Sequence, residues 1–156
     1  MHETPLGRQF QMNHWAAHAN LQGISHDESL LHPHPGGNCF NWVLGHVVAT
    51  RAALLTALGE SPIWTEGDCQ AYRRGVQPPL RPEDARRLED IVSAYDASQQ
   101  VIVDCLRRLT DADLARPHDK GQTLGDWLAG FTFHEAYHLG QLGLLRRLVG
   151  KDGAIA

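Results

Sequence analysis

The residues best able to do chemistry lie in the stretch HEAYHLGQLG, residues 134–143. His134 and His138 with Glu135 satisfy H-E-x-x-H, in which two imidazoles hold zinc and the glutamate serves as the base of a protease. The rest of that chemistry is missing. Such proteases take a third ligand from a downstream glutamate or from the extension H-E-x-x-H-x-x-G-x-x-H. No glutamate follows Glu135, and the glycine and third-histidine positions hold Gln141 and Leu144. Glu135-x-x-His138 also fits a di-iron carboxylate motif, but that centre needs a second E-x-x-H, which the chain lacks. The spacing reads as a metal site without protease chemistry. Glu135 is left as a surface-edge residue, a hydrogen-bond partner of a ligand, or one half of a salt bridge.

Successive side chains on an α-helix turn by about 100°, so His138 projects about 40° from His134. The face they share carries Trp127, Phe131, Tyr137, Gln141, Leu145 and Leu148 and is expected to point to the core, with Glu135 toward its edge. In FNWVLGHVVATRAALL, His46 falls beside Cys39, Trp42, Val43, Ala49, Thr50 and Ala53, whose small members leave room for an ion and a ligand. Three unpartnered imidazoles on inward faces would carry a desolvation cost that ligation removes. His46, His134 and His138 are therefore the expected ligands, with a position left open as in catalytic zinc sites. Three imidazoles suit zinc, nickel, iron or copper; zinc or nickel is the expected occupant. His14 and His18 repeat the four-residue spacing and could add ligands or a second site. Their stripe favours a core or pocket-lining His14 and a partly exposed His18.

Four amphipathic segments must position these groups, and no stretch alternates with the period of a strand. The first spans about residues 6–21, with Leu6, Phe10, Ala17 and Leu21 on one face. The second spans about 40–58, after a Gly36-Gly37 turn and with Asn38 or Asn41 as its cap. The third follows Pro82, with Glu83 and Asp84 in its first turn and a stripe through Leu88, Ile91, Val92, Tyr95, Ile102, Cys105, Leu106 and Leu109. The fourth begins at Thr123, with Asp126 completing a capping box, and runs to about Val149 before Gly150. The expected fold is all-α, one domain over residues 1–156, an antiparallel four-helix bundle. Long connections at 22–37 and 59–81 are expected to be functional or disordered.

Composition narrows the role. A chain of 156 residues that is 42% hydrophobic and 21% charged can bury a real core. Its net charge of −4 gives nucleic acid no electrostatic footing. Cys39, Cys69 and Cys105 lack C-x-x-C spacing and point to a reducing cytoplasm. The start MHETPLGRQF does not read as a signal peptide, and no apolar run is long enough to span a membrane.

NWVLGHVVATRAALL (41–55) together with FHEAYHLGQLGLLRRLVG (133–150) resembles the DinB-like, or YfiT-like, metal-binding four-helix bundles over most of the chain. The family's H-x-G-Q continuation is present as His138-Leu139-Gly140-Gln141, and PIWTEGDCQAYRRG (62–75) is similar to its connection bordering the metal pocket. The resemblance implies a divalent metal on His46, His134 and His138. It further implies thiol S-transfer or isomerisation with a low-molecular-weight thiol such as bacillithiol or mycothiol, or metal-dependent hydrolysis of a small molecule. A homodimer is also implied. Tyr72, Arg73, Tyr137, Gln141 and His14 are the candidates for binding substrate, although each could be an ordinary packing or loop residue. The alternatives are a stress-related bundle whose ion is structural, and an interaction module that uses the long loops.

Overall fold

The computed structural model of the protein describes residues 4–75, 83 and 85–155. Four long helices carry the fold: α1 (Pro5–Leu21), α3 (Phe40–Ala57), α5 (Leu88–Leu106) and α7 (Leu124–Leu148). Short helices α2 (His26–Ser29), α4 (Glu66–Gln70) and α6 (Asp111–Leu114) lie in the connections, and no strand occurs among the described residues. None of the described helices is long and apolar enough to cross a membrane.

Local chemistry sets most helix starts. Thr123 accepts from the Asp126 N–H while Asp126 accepts from the Thr123 N–H, the expected capping box. Ser25–Glu28, Thr65–Asp68 and Thr110–Asp113 repeat the device for α2, α4 and α6. Two expected starts differ. Cys39, not Asn38 or Asn41, occupies the cap of α3, and no side chain closes it. Asn41 is instead buried and donates to the Arg86 carbonyl at 2.9 Å, tying α3 to the start of α5. The chain bends at His34–Pro35, just ahead of the Gly36-Gly37 pair. Helix α5 begins at Leu88, so its first-turn acids are Glu89 and Asp90. Glu83 sits in a preceding turn, and Pro82 and Asp84 lie outside the described residues.

In cross-section α1 touches α7 and α5, and α3 touches α5 and α7, giving the circular order α1–α7–α3–α5. Hydrogen bonds fix the directions. Asn13 donates to the Thr132 carbonyl and Asn20 to that of Leu139, so α1 and α7 run parallel. Asn41 reaches Arg86 and Arg51 reaches Ser98, so α3 and α5 also run parallel. His46 meets His138 while Arg51 meets Glu135, so the α3/α7 seam is antiparallel, and the α1/α5 seam follows. This arrangement accounts for the long connection after α3. The chain must return along the bundle, roughly 27 Å for an eighteen-residue helix, before α5 can start beside α3.

The core has two apolar clusters. Phe10, Leu54, Leu55, Ile102, Leu106, Leu124 and Leu128 fill one end. Ala17, Trp42, Val43, Val47, Ile91, Tyr95, Leu139, Leu142 and others fill the opposite end. Between them lies a polar node. Arg51, 1% exposed, donates to both carboxylate oxygens of Glu135 and also to the Tyr95 carbonyl, Ser98 Oγ and Gln99 Oε1. Burial alone would lower the Arg51 pKa, but the charge and hydrogen bonds of Glu135, together with Tyr95 and Asp96, outweigh it and hold the guanidinium above its ordinary value.

The node corrects the expected orientation of α7. Its buried residues are Leu124, Leu128, Thr132, Glu135, Leu139, Leu142 and Leu145, an arc that has Glu135 near its middle. Glu135 is thus a core residue, not a surface-edge one, and His134 and His138 sit at the margin of the arc. Tyr137 and Leu148, expected on the core stripe, are exposed. The buried Arg51 overrides the hydrophobic pattern, because its charge has to meet a carboxylate somewhere in the interior.

Candidate metal centre

His46 stands on α3 where Gly45 allows a close approach from the connection after it. A Cβ at Gly45 would lie 2.2 Å from Tyr72 Cδ1, so the tyrosine ring packs directly on the helix backbone. Tyr72 is fixed there by donating to Asn41 Oδ1 at 3.2 Å and accepting from the Arg86 N–H at 3.3 Å. Its carbonyl then accepts from His46 Nδ1 at 2.7 Å. The Trp42 indole stacks on the His46 ring at 5.0 Å with 5° between planes. The proton is thereby assigned to Nδ1, which frees the His46 Nε2 lone pair.

Helix α7 brings up the other two rings. Their centroids lie 5.4 Å (His134) and 4.8 Å (His138) from that of His46. His138 Nδ1 donates to Gln141 Oε1 at 2.8 Å, which again leaves Nε2 as the free donor atom. His134 Nε2 and His138 Nε2 are 3.1 Å apart. Two nitrogens about 2.0 Å from one tetrahedral zinc would be separated by roughly 3.3 Å. The three histidines offer one ligand atom each, all within 4.8 Å of one another. Burial pushes the His138 pKa down to about 4, and burial together with His46 lowers that of His134. Both rings are therefore neutral at physiological pH, as ligation requires.

A groove of 470 Å³ opens beside His46, lined by Ala49, Thr50, Ala53, Cys69, Arg73 and Arg74 among others. Of the residues expected to bind substrate, Tyr72 is 2% exposed and reaches the centre through its carbonyl on His46. Arg73 lines the groove and pairs with Glu66. Tyr137 is exposed and meets the His138 ring edge-on at 5.3 Å. Gln141 holds His138. His14 lies apart from the triad, on the α1/α5 seam, where it and His18 meet Asp96. Residues that the sequence reading did not single out are Arg51, Trp42 as the stacking partner of His46, and Asp96. A lone arginine inside VVATRAALL was the available signal for the first; Asp96 gave none, since only packing brings it to α1.

The three cysteines are free and buried. Burial raises the pKa of each, and at Cys69, on the groove wall, nearby Glu66 adds to the effect.

The sequence profile of the DinB superfamily matches residues 9–142. The crystal structure of a conserved protein from Enterococcus faecalis superimposes with a TM-score of 0.73 at 18% identity, covering 92% of this chain and 94% of that one. At that identity the likeness is one of fold. No curated protein matches the sequence.

Proposed function

The chain belongs to the DinB superfamily, and on that premise we propose that His46, His134 and His138 bind one divalent ion, zinc or nickel, in an enzyme of the thiol S-transferase or hydrolase type. The observation that carries this reading is the convergence of three imidazoles, each offering one nitrogen, two of them oriented by an acceptor on the other ring nitrogen. When bound, such an ion lowers the pKa of a coordinated water or thiol and supplies a nucleophile at neutral pH.

The chain's own residues do the rest. The Tyr72 carbonyl and Gln141 hold two imidazoles in their ligating tautomer. Ala49 and Ala53 leave space for a small molecule, and Thr50, Arg73 and Arg74 offer it a hydroxyl and guanidinium groups. Cys69 is held as the thiol by its burial, so the nucleophile comes from outside: a low-molecular-weight thiol or water. Free buried cysteines suit a reducing cytoplasm. Phe133, Tyr137 and Leu144 form an exposed stripe on α7 that a second copy would cover in a homodimer.

The test is metal content followed by turnover. Purified wild-type protein should hold zinc or nickel at this site, and His134→Ala should hold one equivalent less. Loaded protein should then transfer a thiol from a panel to a generic electrophile, or hydrolyse an activated ester. Equal metal in both proteins would refute the site. Metal without turnover under any pairing would support the alternative in which the ion only staples α3 to α7, a reading favoured by the burial of His46.

A further inference from the structure

The α1/α5 seam repeats the construction of the α3/α7 seam. His14 and His18 stand four residues apart on α1 with ring centroids 4.6 Å apart, as His134 and His138 stand on α7 at 4.5 Å. In each case one further donor comes from the antiparallel neighbour: His46 of α3 in one seam, Asp96 of α5 in the other. His14 Nε2 and His18 Nε2 both lie on Asp96 Oδ1, at 2.7 and 2.6 Å. The two clusters occupy diagonally opposite seams and are joined through Tyr95. Its ring stacks on His14 at 5.4 Å, and its hydroxyl donates to Glu135, the residue after His134.

We propose that His14, His18 and Asp96 form a second metal site, which takes a divalent first-row ion on two imidazoles and one carboxylate. The donor set is complete within this chain. Two histidines and one carboxylate on one side of an ion is the facial arrangement that leaves the remaining positions open, and its harder oxygen donor widens the choice toward iron or manganese beside zinc. The donor atoms lie within 4.8 Å of one another. Donors about 2.1 Å from one ion sit roughly 3 Å apart, so the two nitrogens must retreat from Asp96 Oδ1 by a few tenths of an ångström. The side chains are 31%, 40% and 44% exposed, which permits that movement and lets an ion enter from solvent. On binding, each ring gives up its Nε2 proton, to its own Nδ1 or to solvent, and both nitrogens meet the ion with lone pairs. Burial would raise the Asp96 pKa, but its bonds to His18 and His14 outweigh this and hold the carboxylate anionic.

The surroundings also point to a ligand. His18 and Asp96 form part of the wall of a 780 Å³ groove that Leu21, His26, Arg87 and Ser93 also line. His26 is 6% exposed, its Nδ1 accepts from the Leu88 N–H at 3.3 Å, and its Nε2 has no hydrogen-bond partner among the described residues. An ion held by His18 and Asp96 would lie beside this groove.

The experiment is a titration with Co(II) alone, then Zn(II) alone, followed by equilibrium dialysis and visible absorption. Wild type should bind two equivalents, Asp96→Asn one, the His46→Ala, His134→Ala variant one, and the combination of all three substitutions none. One equivalent in wild type that Asp96→Asn leaves intact would overturn the second site. Two equivalents that survive Asp96→Asn would do the same. Loss of one equivalent in Asp96→Asn but none in the His46→Ala, His134→Ala variant would support the second site and overturn the first. Should a variant fail to fold by circular dichroism, the wild type decides by NMR. Co(II) should shift the ring resonances of His14 and His18 as well as those of the triad, and unshifted His14 and His18 signals at saturation would overturn the proposal.

Discussion

Arg51 grips Glu135 with two parallel hydrogen bonds, Nε to Oε2 at 2.8 Å and Nη2 to Oε1 at 2.7 Å, in the middle of the bundle. Glu135 is the residue that a zinc-protease motif would use as its base, and here both its oxygens are occupied by the guanidinium. Tyr95 adds a third donor at 3.1 Å. The pair fixes the rotation of α7 about its axis, and that rotation sets His134 and His138 at the margin of the core facing His46.

Removing one partner of this pair leaves an uncompensated buried charge. Arg51→Ala and Glu135→Ala should each lower stability by about 3–5 kcal/mol in urea unfolding. Arg51→Met with Glu135→Leu should cost well under the sum of the two. Strict additivity of the single changes would mean that the two side chains act independently.

Glu135 lies outside the donor set, so Glu135→Gln should keep the wild-type metal stoichiometry while His134→Ala holds one equivalent less. Elemental analysis of the two proteins decides. Metal loss in Glu135→Gln at unchanged helicity would place the carboxylate among the ligands.

Gln141 fixes the His138 tautomer through one hydrogen bond. Gln141→Leu should weaken metal binding roughly 10–100-fold without unfolding the protein. Competition with a coloured chelator measures this, and an unchanged affinity would show that His138 needs no such partner.

Gly45 and Gly140 should respond in opposite directions to alanine. At Gly45 the new methyl meets Tyr72 at 2.2 Å, so Gly45→Ala should cost about 1–3 kcal/mol and disturb the carbonyl that orients His46. Around Gly140 nothing lies within 4 Å, and there Gly140→Ala should be neutral or stabilise α7 by up to about 1 kcal/mol. Thermal unfolding of both variants is the check.

The capping carboxylate of α7 gives a pH signature. Hydrogen bonds from the Thr123 hydroxyl and N–H hold the Asp126 pKa below its ordinary value of 3.8. A lowered folded-state pKa means that the contribution is present above the unfolded value and is lost as pH falls through the folded one. The stability difference between wild type and Asp126→Asn should therefore be constant near neutrality and shrink below about pH 4. A difference that stays level down to pH 3 would contradict the cap.

Much of the fold was legible in the sequence because amphipathic periodicity and capping boxes are local. The stripe Leu88–Ile91–Tyr95–Ile102–Leu106 and the pair Thr123/Asp126 announce α5 and α7 from residues only a few positions apart. The triad was legible for a similar reason: a four-residue spacing puts two imidazoles on one face of α7, and His46 sits among small neighbours on α3. Helix direction was not legible, because a connection of some thirty residues can return the chain to either end of the bundle. Nor was the exact rotation of α7, since hydrophobicity alone would turn Trp127, Phe131 and Tyr137 inward.

The sequence by itself thus determined which residues form helices, which faces are apolar, and which three histidines could share an ion. Tertiary structure decided the partners. It gave Glu135 to Arg51, which made an apparent surface carboxylate the centre of the core, and it gave Asp96 to His14 and His18, residues about eighty positions away. The physical reason is that a buried charge has a strong demand for a partner but leaves no local pattern. Its partner is identified only when packing brings one within hydrogen-bond reach.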